Sequence, residues 1–206
     1  MNHIMIREAT MGDAAAIRAI YAPYVEATVI TFEYTVPSVE EFQRRISPFL
    51  TDDRVFGKMF FGEFSDFRVP EKLAVEDGRV VGYAYAGPFV GRAAYDWAAE
   101  LSIYVDIHGR KQGLGKKLYG ALLDALKEMG VLDVYACIGL PEKADEYLDC
   151  NSAEFHAHLG FTPVGLFKQC GYKFGRWYNM IWMGLNLGAH RSPQPPVIPY
   201  PQLKKQ

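Results

Sequence analysis

The sequence predicts a single mixed α/β domain with a central sheet flanked by helices, and three observations carry the prediction. Residues 98–105 alternate, with Ala99, Leu101, Ile103 and Val105 toward one face and Glu100, Ser102 and Tyr104 toward the other, which is the period of a strand. The glycine run Arg110-Lys111-Gln112-Gly113-Leu114-Gly115 follows that strand and leads into Leu118, Leu122, Ala125 and Met129 at helical spacing. Strand-like and helix-like segments interleave along the 206 residues without internal repeat, and 50% of the residues are apolar, enough for one substantial core.

The elements follow in order. Ile4 to Arg7 reads as a short opening strand, and Asp13 stands where an N-cap belongs, before a helix to about Glu26 with Ile17, Ile20, Tyr21 and Tyr24 on one face. Ser38-Val39-Glu40-Glu41 has capping-box form and opens a second helix to about Leu50. Residues 54–68 are aromatic but irregular and fit an insertion. Lys72 to Glu76, Asp77-Gly78 and Arg79 to Ala86 make a hairpin, because Asp-Gly suits a two-residue turn. After the glycine run and its helix, Gly130 is a C-cap and Val131 to Ile138 a strand. Glu146 to Leu159 reads as a helix stopped by Gly160, and two strands fill the chain to about Leu187. Beyond Ser192, five prolines forbid regular helix or central strand. The expected division is a domain over 1–188 and a Pro-rich tail over 189–206, lying on the surface or free.

Composition narrows the function. A formal charge of −2 offers no basic face for nucleic acid. Cys137, Cys150 and Cys170 are odd in number and widely spaced, which argues against a disulfide framework and a zinc knuckle and fits a reducing cytoplasm. No metal site is expected. The start turns polar quickly and no long apolar run follows, so neither a signal peptide nor a membrane span is expected.

The glycine run is the most informative feature. Free N–H groups at a helix start, with two glycines and flanking cations, make an anion seat. A dinucleotide fingerprint would need a third glycine near Leu118, and a Walker loop a glycine at Arg110 with Ser or Thr at Lys117; neither is present. Arg-x-x-Gly-x-Gly between a strand and a helix resembles the pyrophosphate loop of the GCN5-related N-acetyltransferases (GNAT). Longer stretches resemble the phosphinothricin and methionine sulfoximine N-acetyltransferases within that superfamily: Tyr85-Ala86-Gly87-Pro88, Ala94-Tyr95-Asp96-Trp97, Ser102 to Val105, Ile138-Gly139-Leu140-Pro141, His156 to Phe161 and Gly171 to Trp177. The likeness spans about Ile4 to Leu187. It departs where the herbicide-detoxifying enzymes carry a lysine two positions before an arginine: Val90 precedes Arg92 here.

The resemblance implies a cytoplasmic, homodimeric enzyme of the GNAT fold that moves acetyl from acetyl-CoA to the amine of a small amino-acid-like acceptor. Coenzyme contacts would come from Ile103, Tyr104 and Val105, from Arg110, Lys111, Gln112, Gly113, Leu114, Gly115 and Lys116, and from Asn151. Glu100 would be the general base, and His156 would stand near the coenzyme sulfur to donate a proton or hold an anion. Phe32, Arg92 and Tyr95 would line the acceptor pocket, and Arg176 and Trp177 would serve packing or a subunit interface. An acetyl-cysteine route through Cys137 is disfavoured, since a thiol buried in an apolar strand is inert. Two alternatives stay open: acetylation of a protein or peptide amine, and a non-catalytic acetyl-CoA-binding module.

Overall fold

Seven strands form one sheet in the computed structural model, which describes residues 4–50, 71–109 and 113–203. They are β1 (Ile4–Glu8), β2 (Lys72–Glu76), β3 (Arg79–Pro88), β4 (Ala98–Val105), β5 (Asp133–Leu140), β6 (Thr162–Lys173) and β7 (Arg176–Asn186), in the order β1-β2-β3-β4-β5-β7-β6. The helices among the described residues are α1 (Ala14–Ala27), α2 (Val39–Leu50), α3 (Leu114–Met129), α4 (Asn151–His158) and a single turn, α5 (Tyr200–Leu203). The expected insertion at 54–68 and the residues Arg110, Lys111 and Gln112 lie outside the described residues.

The alternation read from the sequence sorts the layers. Ala99 and Leu101 bury against Leu118, Leu122, Leu126 and Met129 of α3 in one core. On the opposite face α1 and α2 bring Ile17, Tyr21, Phe42 and Ile46 onto Leu73, Val75 and Tyr83 in a second. Burying such a side chain contributes about 1.5–3 kcal/mol, so these two clusters set the sandwich.

Every adjacent strand pair is antiparallel except one. β4 and β5 run parallel, and their pairing covers only Ala98–Leu101 against Asp133–Ala136. Beyond Leu101 the two strands diverge, leaving Ser102 to Val105 laddered to β3 alone.

Three local expectations are corrected. The last long helix starts at Asn151 rather than Glu146, because Asp145 Oδ1 accepts from the backbone N–H groups of Tyr147 and Leu148, and Asp149 Oδ1 from that of Asn151, holding turns where a helix was expected. Asp13 does not cap α1 with its side chain; its carboxylate turns back to the Arg7 guanidinium at 2.6 and 2.8 Å and to the Thr10 N–H at 2.7 Å. The tail is not wholly extended, since Tyr200–Leu203 forms a helical turn with Pro201 near its start, where the missing N–H costs nothing. It lies on the surface: Pro195 O accepts from Trp97 Nε1 at 2.7 Å, Ile198 N donates to Met129 O at 2.8 Å, and Tyr200 donates to Glu8 at 3.0 Å. The Ser38 box is present in part, with Ser38 Oγ accepting from Glu41 N at 3.2 Å.

Candidate active site

The divergence of β4 from β5 opens a cleft through the sheet, enclosing about 420 Å³ of empty space continuous with solvent. Ser102 and Tyr104 line it from the face of β4 that carries α1, and Cys137 and Gly139 from the corresponding face of β5. Tyr119 of α3 and Ser152 and His156 of α4 line it from the other face. The same gap is therefore reached from two sides.

Glu100 sits where the parallel ladder is still intact, paired with Gly87 of β3 and Tyr135 of β5. Paired residues of adjacent strands share a face, so its carboxylate stands on the side of Tyr135 and Cys137. It is half-buried, and desolvation raises its pKa above the usual carboxylate value. Cys137 answers to the same charge. Desolvation, the Glu100 carboxylate and Cys170 push its thiol up to about 12, so it is a poor nucleophile at neutral pH. The low reactivity expected of Cys137 has the same first cause here, desolvation of the sulfur, although part of the residue reaches solvent, and the Glu100 carboxylate adds to it.

On the other face, His156 is only 3% exposed. Its Nδ1 lies 2.7 Å from the Ser152 carbonyl oxygen, which can only accept, so the proton is on Nδ1. Burial lowers the ring's pKa and favours the neutral form. Nε2 is then an acceptor, and the Tyr119 hydroxyl 3.0 Å away donates to it. The hydroxyl is itself desolvated, which pushes its pKa well above the ordinary phenol value. Sequence reasoning missed Tyr119. It stands beside Leu118 in the helical stripe, and nothing in its spacing separates a core tyrosine from one facing a cleft.

The two glycines of the anion seat have different jobs. Gly113 is the N-cap of α3 with φ +74, a left-handed conformation that costs other residues about 1–2 kcal/mol, and a Cβ there would meet nothing within 4 Å. Gly115 has an ordinary helical backbone, but a Cβ would fall 2.9 Å from the Phe155 ring of α4. It lets α3 approach α4 closely, which brings Tyr119 and His156 together. The first N–H groups of any α-helix have no acceptor within the helix, which is what an anion seat at the start of α3 would use. Lys116 is exposed beside them, and Leu114 is buried in the core.

Ile103 and Tyr104 line the cleft, and the Val105 carbonyl accepts from Tyr24 Oη at 2.6 Å. Tyr104 belongs to an aromatic cluster, 4.8 Å from Tyr21 and 5.3 Å from Tyr83 between ring centroids. Asn151 is exposed at the first turn of α4. Phe32 is half-buried over Gly171, in a loop whose Ile30 lines the cleft. Arg92 and Tyr95 are not brought to the cleft wall; they sit exposed in the β3–β4 loop.

The sequence and the fold are both matched by known proteins. Residues 6–182 match the acetyltransferase (GNAT) domain model. This chain belongs to the GNAT acetyltransferase family. The acetyltransferase is 32% identical over 200 residues to a phosphinothricin N-acetyltransferase of Streptomyces viridochromogenes, covering 97% of this chain and 96% of the relative. A methionine sulfoximine/methionine sulfone acetyltransferase of Salmonella typhimurium is 33% identical over 60% of this chain and 68% of that protein. Among solved structures, a phosphinothricin acetyltransferase from Sinorhizobium meliloti in complex with AcCoA superposes with TM-score 0.77 at 31% identity, covering 96% of both chains. A putative acetyltransferase from Salmonella typhimurium with acetyl-CoA gives the same TM-score at 28% identity, covering 93% of this chain and 98% of that one. The acetyltransferase fold expected from the sequence is the one observed. No helix among its described residues is long and apolar enough to cross a membrane.

Proposed function

We propose that this acetyltransferase moves acetyl from acetyl-CoA to the amine of a small amino-acid-like acceptor, by direct attack and with Glu100 as general base. The observation that carries the reading is the placement of Glu100 on one face of the split sheet and of Tyr119 with His156 on the other. The donor fits the gap: a pyrophosphate would take the N–H groups at the start of α3, and the unladdered edge of β4 from Ser102 to Val105 would pair the pantetheine arm. Backbone donors aimed at the developing oxyanion typically contribute about 3 kcal/mol.

The acceptor enters as an ammonium on the Glu100 face. Glu100, directly or through a water, takes one proton and passes it to solvent. The freed nitrogen pair attacks the acyl carbon, the C–S bond breaks, and the second nitrogen proton balances the departing thiolate. That thiolate leaves toward the far face, where the Tyr119 hydroxyl donates to it by turning its single O–H from His156 Nε2 to the sulfur. His156, held neutral as an acceptor, orients Tyr119 and is a positioning residue in this scheme. The raised pKa of Glu100 makes it a stronger base than a surface carboxylate.

The acceptor class follows from relatives named for phosphinothricin and for methionine sulfoximine or sulfone. Arg92 and Tyr95, exposed in the β3–β4 loop, are assigned to the acceptor by resemblance alone. A homodimer is part of the proposal: Val164, Leu166, Phe167 and Tyr172 of the edge strand β6 and Trp177 of β7 are exposed apolar side chains suited to a second copy. We also place the enzyme in the cytoplasm, where three free cysteines stay reduced. Release of thiol from acetyl-CoA with a panel of free amino acids, their sulfones and sulfoximines, phosphinothricin and peptides tests the reading. Turnover of at least one free amino-acid analogue is expected. Turnover of peptides alone, or coenzyme binding without turnover, would replace it by one of the alternatives.

A further inference from the structure

Lys173, at the end of β6, is 2% exposed, unusual for a lysine. Its ammonium donates at 2.8 Å to the carbonyl oxygens of both Thr28 and Thr31. Those residues bracket the loop after α1, and three more contacts fix the same loop. Val29 N donates to Tyr147 O at 3.1 Å, Thr31 Oγ1 and Tyr21 Oη lie 2.6 Å apart, and Tyr34 donates to the Tyr172 carbonyl. Val29, Leu148 and Tyr178 make a third, small core there.

The loop meets the cleft on the Glu100 face. Ile30 lines it directly, and the Val29 carbonyl closes over Gly139 of β5, where a Cβ would come within 3.1 Å. Phe32 lies over Gly171, where a Cβ would fall 2.1 Å from the ring. The loop is therefore one wall of the side from which an amine approaches. Its position is set from α1 and Tyr147 as well as from the β6–β7 hairpin, which supplies the two ammonium contacts. Desolvation lowers the pKa of Lys173 while the Glu33 carboxylate opposes the shift.

We propose that Lys173 is a positioning residue for acceptor binding, its ammonium locking the loop at 28–32 against β6 to fix the acceptor-side wall of the cleft. The inference rests on the proposed acetyl transfer for its kinetic consequence but not for its structural one. Lys173→Met keeps the aliphatic stem and removes both donations. With an acceptor that the wild type turns over, KM for the amine should rise about ten- to a hundredfold, the scale of a misplaced reacting group. KM for acetyl-CoA should stay within about twofold, since the loop's contacts given above are with α1, β5, β6 and Tyr147 and none is with α3. Amide exchange in the peptide covering 28–34 should accelerate about tenfold or more. Lys173→Arg, which can again donate to two carbonyls, should restore part of both effects.

Unchanged exchange at 28–34, an unchanged amine KM, or equal rises in both KM values would each overturn the proposal. Should Lys173→Met not fold, Lys173→Gln and Gly171→Ala carry the test. The first keeps one donating amide and the second displaces Phe32 without touching the ammonium, and both should show the same split between the two KM values. If the wild type turns over no amine, the functional reading fails, while hydrogen exchange still decides whether Lys173 holds the loop.

Discussion

Replacing Glu100 by Gln should lower turnover and leave the protein at least as stable, and that combination separates a catalytic carboxylate from a structural one. Among the described residues nothing pairs with the Glu100 carboxylate; desolvation is the cause of its raised pKa. The sign follows from linkage. A carboxyl that binds its proton more tightly folded than unfolded is easiest to fold when protonated, and the fold loses stability as pH rises through the folded value. At pH 7 the charged form opposes folding. Gln matches the shape without the charge, so the melting temperature at pH 7 should hold or rise. The same change removes the proposed base, and turnover should fall about 10²- to 10⁴-fold, with acetyl-CoA affinity unchanged. A second readout comes from Cys137, whose thiol Glu100 helps to hold up at about 12. Without the carboxylate more thiolate forms at pH 8, and alkylation of Cys137 should quicken. Thiol-release kinetics, thermal melts, calorimetry with acetyl-CoA and mass-spectrometric alkylation rates make the measurement. Turnover within about threefold of wild type would refute the assignment of Glu100 as base. A loss of several degrees in melting temperature would refute the claim that its charge is uncompensated.

Three further outcomes follow from other parts of the molecule. Gly113→Glu should cost about 1–2 kcal/mol through its left-handed backbone and lower acetyl-CoA affinity by placing an anion at the head of α3; equal affinity by calorimetry would contradict the seat. Tyr119→Phe should lower turnover about ten- to a hundredfold at unchanged acetyl-CoA affinity, the scale of one hydrogen bond to a charged group; full activity would remove Tyr119 from the scheme. Asp13→Asn should cost about 2 kcal/mol at neutral pH, because the Arg7 guanidinium lowers the carboxyl from 3.8 to about 2. A depressed carboxyl stabilises above its unfolded value and loses that contribution as pH falls through its folded one. The difference in urea midpoints between variant and wild type should therefore shrink from pH 5 toward pH 2, and a constant difference would refute the pair.

The strands and layers were legible because their cause is local. The alternation of Ala99, Leu101 and Ile103 against Glu100, Ser102 and Tyr104 divides the same residues between the α3 core and the opposite face. Gly130 caps α3 in the left-handed conformation, as its place after the helical stripe implied. The glycine run predicted an anion seat, but not that Gly115 is there for Phe155, because that contact joins residues forty positions apart. Side-chain hydrogen bonds to nearby backbone were illegible for a related reason. Asp145 and Asp149 stop a helix with contacts of two or three residues, which compete with helical periodicity without altering it. Within the site, Glu100 and His156 were reached through family resemblance, whereas Tyr119 and Lys173 depend on long-range packing that no spacing encodes.

The short parallel ladder between Ala98–Leu101 and Asp133–Ala136 has a mechanical consequence. It is the seam between a four-stranded plate, β1 to β4, and a three-stranded one, β5, β7 and β6. A seam anchored at one end converts a slight rotation of one plate into a larger displacement at the free end, where the strands have already parted. With the donor placed in the gap as proposed, the width open to its acyl end would follow the twist between the plates at this ladder.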